Sequence, residues 1–275
     1  MLGKLIKYDL KSGSHIMFPA YIFIILCAVF SRIMDIISDI SDGSLKYITN
    51  FLFILSGFIL ILSIVAACVI TLVWVVLRYR NNLLRDEGYL MHTLPVSQAK
   101  LYFSKMAAAM LFFLSDIIVI FLSIILSGLP QSYGIGWDDL KKVIATFHYG
   151  AAEYKINGNI YIASIIILII IALYLSISQL FISLNIGYSL PFGKGTSRDL
   201  ISVAVYIATY TIMQIVMVLI IIVPIFISSV DVENEAEILR YTQNFLFISI
   251  IVMAAFSAIC NTISIKIMQK KLNLE

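Results

Sequence analysis

Asp116 is the acid that stands out in this sequence. It sits in an otherwise apolar stretch, with Leu111, Phe112, Phe113, Leu114 and Ser115 before it and Ile117, Ile118, Val119 and Ile120 after it. In lipid such a charge is costly unless it is paired or hydrated. Asp116 therefore has two readings: a substrate or proton contact, or a protonated or hydrogen-bonded packing residue. Three polar stripes recur at helical spacing, each on one helix face: Ser176, Gln179 and Ser183; Tyr206, Tyr210 and Gln214; and Ser257, Asn261 and Ser264. Such stripes more often hold helices together than line a path. Gln179, Tyr210, Gln214 and Asn261 join Asp116 as candidates for a substrate path.

Other chemistry is hard to find. His15, His92 and His148 are far apart and show no metal-ligand spacing. No Gly-x-Ser-x-Gly elbow occurs. Gly193-Lys194-Gly195-Thr196-Ser197 lacks the upstream glycine of a phosphate-binding loop, and Gly195 stands where that motif needs Ser or Thr. It reads as a flexible turn. Cys27, Cys68 and Cys260 lie singly in apolar runs and suggest packing rather than disulfides or metal binding. The chain is expected to be no enzyme, and to hold no cofactor and no metal of its own.

The elements that must position these residues are membrane helices. Hydrophobic residues make up 61% of the 275 and charged ones 13%, and the mean hydropathy is +1.01. A soluble domain has roughly 25% charged residues and about 45–50% apolar, so the solvent here must be lipid in part. The net charge of +3 is too small to suggest nucleic acid. A spanning helix needs about 20 apolar residues. Six runs qualify, near Ile16–Ile37, Ile48–Leu77, Phe103–Ser127, Ile160–Leu184, Ile201–Ile227 and Phe245–Ile265. The expected fold is all-α, with six transmembrane helices over residues 16–265.

Residues 1–15 are expected to form an amphipathic helix lying in the membrane interface. Leu2, Leu5, Ile6 and Leu10 share a face, with Lys4, Lys7 and Lys11 opposite. No small-residue cleavage site closes the run that follows, which reads as a retained span. Basic residues set the orientation. With the N-terminus inside, the inner segments hold Lys4, Lys7, Lys11, Arg78, Arg80, Arg85, Lys100, Lys105, Lys194, Arg198, Lys266, Lys270 and Lys271, thirteen in all. The outer ones hold six: Arg32, Lys46, Lys141, Lys142, Lys155 and Arg240. Asp231, Glu233, Glu235 and Glu237 crowd one outer loop. Both termini, including the tail 266–275, are therefore expected in the cytoplasm. Trp74 and Tyr79, at the inner end of the second span, fit an interfacial belt.

The longest inner connection, residues 78–100, is the most informative. Leu83, Leu84, Leu90, Met91 and Leu94 recur at helix-like intervals, and Asp86 and Glu87 sit among basic neighbours. Pro95 disfavours helix at Leu94 and allows a restart beyond it. This predicts a short interfacial helix, a break, and then a membrane helix. Such an element could receive force from a soluble partner or simply anchor the loop, and the residues themselves do not choose.

The run Asp86-Glu87-Gly88-Tyr89-Leu90, with Thr93-Leu94-Pro95-Val96-Ser97 and then Lys105, resembles the cytoplasmic segment of bacterial ABC-2-type permeases. These are the membrane subunits of ATP-binding cassette exporters. The basic start Lys7-Tyr8-Asp9-Leu10-Lys11 and the six-span layout resemble the same family. The resemblance covers the whole chain in outline and about 20 residues in detail. It implies a permease in the bacterial cell membrane that pairs with a second permease subunit, as homo- or heterodimer, and with an ATPase subunit that binds ATP and Mg. It also implies that Arg85, Asp86, Glu87, Gly88 and Tyr89 contact that ATPase. Some family members carry re-entrant helices between the last two spans, for which only residues 228–241 are available here. Two other expectations remain open: a secondary transporter with Asp116 as proton relay, and a non-transporting sensor or immunity protein.

Overall fold

The computed structural model describes residues 2–85, 88, 96–128, 138, 139, 141, 142, 145, 157–190, 196–228 and 235–270. Among the described residues the long elements are all helices: α1 (Leu2–Ile40), α2 (Ser44–Tyr79), α3 (Gln98–Ser127), α4 (Gly158–Ser189), α5 (Thr196–Ser228) and α6 (Glu235–Lys270). A π-helical turn, Arg80–Leu84, continues α2. All six helices are long and apolar enough to cross a membrane, the architecture of a multi-pass membrane protein. Hydrocarbon offers the backbone no hydrogen bonds, so a run that enters it must satisfy its own amides as a helix. Each of the six expected apolar runs lies within one helix.

The helices extend past the apolar runs, most of all at the start. α1 runs unbroken through the change from basic to apolar sequence near residue 15. Ser14 does not end it, because its hydroxyl donates back to the Lys11 carbonyl at 2.8 Å. Pro19 is accommodated inside the helix. Within the first four turns Asp9 and Gly13 are the buried positions, while Leu5, Ile6 and Leu10 are half-buried and Lys4, Lys7 and Lys11 exposed. At the other end of the chain, residues 229–234, between α5 and α6, lie outside the described residues.

Two compact units make up the chain, one from Met1–Leu77 with Ala107–Lys142, the other from Arg78–Met106 with Val143–Glu275. In the first, Ile24, Ala28, Leu60 and Ala67 form an apolar core, with Cys27, Ile64 and Val119 packed against it. Alanines there let helices approach closely. Trp74 meets the Phe112 ring edge-on, with centroids 4.8 Å apart. α3 ends at Gly128, whose φ of +72° suits glycine. A side chain at that position would run into Arg32 and Asp35, which pair at 2.8 Å.

In the second unit α4 packs along both α6 and α5. Its core holds Tyr79, Leu101, Tyr102, Ile177, Phe181 and Tyr188. α4 and α5 cross closely at Gly187, where a Cβ would meet Ser202 and the Arg198 carbonyl. Outward, Phe18, Leu26, Phe51, Phe58, Phe121 and Ile251 are each more than half exposed. Apolar surface so extensive requires a lipid environment.

Candidate functional site

Asp116 lies in α3, 18 residues after Gln98 and 11 before Ser127, and its residue is only 4% exposed. Three helices supply its surroundings. From α1 the Tyr21 hydroxyl donates to Asp116 Oδ1 at 2.6 Å, and from α2 Thr71 donates to the same oxygen at 3.2 Å. Ser115 lies 2.8 Å from the Tyr21 hydroxyl. Asp116 Oδ2 is buried and has no hydrogen-bond partner among the described residues. The result is a carboxyl group held through one oxygen by hydroxyl donors, with the other oxygen open. The packing reading accounts for Oδ1 and not for Oδ2, since buried polar atoms are normally partnered.

The second unit holds a longer polar chain. Tyr79, from the end of α2, stacks on Phe181 with centroids 3.9 Å apart, and its hydroxyl donates to Asn185 Oδ1 at 3.0 Å. Asn185 in turn donates to the Ser264 hydroxyl of α6. Tyr102, near the start of α3, donates to Asn261 Oδ1 at 2.6 Å, and Asn261 donates to the Tyr174 hydroxyl at 2.7 Å. α2, α3, α4 and α6 are thus tied together by buried amides and phenols. Tyr79 is 1% exposed and is not a belt residue, because Phe181 and Asn185 offer its ring and hydroxyl better partners than an interface does.

A charged knot adjoins this chain. Asp199 is the acid in the first turn of α5, where the helix dipole favours negative charge. Its carboxylate accepts from the Tyr188 hydroxyl at 2.6 Å, from Arg80 at 3.0 Å and from Arg85 at 3.4 Å. Arg85 also donates through Nε to the Tyr188 hydroxyl at 3.2 Å. The residue that opens the 85–97 connection is therefore held against the end of α4 and the start of α5. Gly88 is buried, with its amide donating to the Arg85 carbonyl at 2.7 Å. Asp86, Glu87 and Tyr89 lie outside the described residues. α3 restarts at Gln98, where the Ser97 carbonyl accepts the first helical amides, from Lys100 at 2.9 Å and Leu101 at 3.2 Å.

Comparison with family models, curated proteins and solved structures finds no match for this chain.

The five path candidates are divided between the two units. Asp116 belongs to the first unit, and Gln179, Tyr210, Gln214 and Asn261 to the second. Gln179 is buried, with its amide 3.4 Å from the Thr209 carbonyl of α5, and Asn261 is buried between Tyr102 and Tyr174. Tyr210 and Gln214 are exposed on the outer side of α5. Within the polar stripes Ser176, Ser183 and Ser257 bond back to carbonyls of their own helices, while Gln179, Asn261 and Ser264 make cross-helix contacts. Asp199, Tyr188, Tyr102 and Asn185 were not singled out by sequence reasoning. The one local signal was an acid, Asp199, among the inner basic residues.

Proposed function

We propose that this chain is the permease subunit of an ABC-2-type exporter. It moves a substrate across the bacterial cell membrane with ATP hydrolysed by a separate subunit, it works beside a second permease subunit, and both its termini are cytoplasmic, with residues 1–15 at the interface. The observation that carries this reading is the anchoring of Arg85 by Asp199 and Tyr188. A segment that receives force must be fixed at its base, and here the base is fixed to two membrane helices by charge-assisted bonds. The thirteen-to-six excess of basic residues supports the orientation. The test is purification from native membranes: a soluble ATPase should co-purify, and Asp86→Lys with Glu87→Lys should release it. Full ATPase coupling in that double variant would rule out this contact.

Asp116 favours a second reading, proton-coupled transport without an ATPase. A carboxyl with one open oxygen inside three apolar helices is suited to carry a proton. Under this reading Asp116→Asn abolishes uptake or efflux driven by an imposed proton gradient in vesicles, with no ATP present.

A further inference from the structure

The hydroxyl hydrogens around Asp116 are all spent, and lone pairs are left over. Tyr21 gives its hydrogen to Oδ1 at 2.6 Å. The Thr71 hydrogen has two acceptors in reach, Oδ1 at 3.2 Å and Met17 Sδ at 3.3 Å. The Ser115 hydrogen has the Phe112 carbonyl at 2.7 Å and the Tyr21 oxygen at 2.8 Å. In none of these arrangements does a hydrogen reach the buried Oδ2. Each hydroxyl oxygen also keeps lone pairs once its single hydrogen is placed. Among the described residues no basic or amide side chain joins the group. All of its members belong to the first unit.

The group is far from bulk water. Asp116 is 11 residues from the nearer end of α3, about 16 Å of helix. A carboxylate at that depth needs both its charge and its lone pairs met. A water molecule would supply hydrogens and leave the charge. A proton would cancel the charge and create an O–H that needs an acceptor in turn. A divalent ion would leave a net positive charge in lipid, since no second acid is bonded into the group among the described residues. A monovalent cation cancels the charge and takes lone pairs in one step. Oxygen ligands of this kind suit a hard ion rather than a thiophilic metal.

We propose that Asp116, Tyr21, Thr71 and Ser115 form a binding site for one sodium ion, with Asp116 Oδ2 as the charged ligand. The oxygens are crowded: successive contacts from Ser115 to Tyr21, Asp116 and Thr71 measure 2.8, 2.6 and 3.2 Å. Potassium, the larger ion, would force them further apart. A bound sodium ion joins α1, α2 and α3 at one point. The proposal concerns binding alone and rests on neither transport reading.

The test uses the full chain, purified in detergent and held in a sodium-free choline buffer at one fixed pH, with radioactive sodium as the probe. Binding should saturate at one ion per chain. Unlabelled sodium should displace the label, potassium should do so poorly, and choline not at all. Asp116→Asn keeps an acceptor for Tyr21 and Thr71 and should abolish binding. Thr71→Val and Ser115→Ala each remove one oxygen and should weaken binding about tenfold. Ser176→Ala, in the second unit, should bind as the unaltered chain does. Each variant is compared with the unaltered chain by size-exclusion chromatography. If Asp116→Asn does not elute with it, the two hydroxyl variants decide, and unchanged affinity in both would overturn the site. No saturable binding by the unaltered chain, binding retained in Asp116→Asn, or equal displacement by potassium would also overturn the proposal.

Discussion

The hydroxyl of Tyr188 donates to the carboxylate of Asp199 at 2.6 Å, across the short connection between α4 and α5. The same carboxylate receives Arg80 and Arg85, so one acid closes three contacts at the base of the 85–97 segment.

Asp199→Ala should lower stability by about 1–2 kcal/mol, the scale of a few charge-assisted bonds discounted for partial exposure. The loss should appear as a drop in Tm of the protein in detergent. Arg85→Ala should cost less, because its nitrogen is 3.4 Å from the carboxylate whereas that of Arg80 is 3.0 Å away. Equal losses would show that distance does not rank these contacts.

Asn261→Leu should cost about 1–3 kcal/mol, since it leaves the buried hydroxyl of Tyr102 and the half-buried one of Tyr174 without their partner. Adding Tyr102→Phe should recover part of that loss, because one stranded hydroxyl is removed. A double-mutant cycle in denaturant measures the coupling, and strictly additive losses would contradict the contact.

Asp116 separates packing from transport. Asp116→Asn keeps an acceptor for Tyr21 and Thr71 and should leave Tm nearly unchanged, whereas Asp116→Leu strands both donors and should lower it by about 1–3 kcal/mol. Transport assayed on the same samples decides the role: intact transport in Asp116→Asn would assign the residue to packing.

At Gly187 even one methyl group is too large. Gly187→Ala should destabilise by about 1–3 kcal/mol through overpacking against Ser202 and the Arg198 carbonyl. Ser202→Ala should rescue only part of this, because it removes the hydroxyl and leaves the backbone in place. Thermal denaturation of the single and double variants reads the difference.

Much of the helical layout was legible in the sequence, because a long apolar run has one backbone solution in lipid. Ends were less so. Residues 1–15 read as an element apart from the first span, yet Ser14 satisfies its hydroxyl on the Lys11 carbonyl and one helix runs through both. The contacts of the site were mostly hidden. Arg80 and Asp199 are 119 residues apart, and Tyr102 and Asn261 are 159 apart, so no local pattern announces either pair. Arg85 was legible as part of the inner connection 78–100, and its partners were not. Tyr79 read as an interfacial ring because hydropathy records its position near a span end and not the cavity between Phe181 and Asn185 that it fills.

The π turn at Arg80–Leu84 has a rotational meaning. A wider coil holds more residues per turn than an α-helix and so shifts the angular phase of everything after it. Asn82, Leu83 and Leu84 are three consecutive buried positions, which a regular amphipathic helix would not present on one side. The turn closes the helix, and Arg85 after it is extended, with φ −122° and ψ −156°. The widened last coil thus sets the direction in which the chain leaves α2, and Arg85, the first residue out, reaches the Asp199 carboxylate.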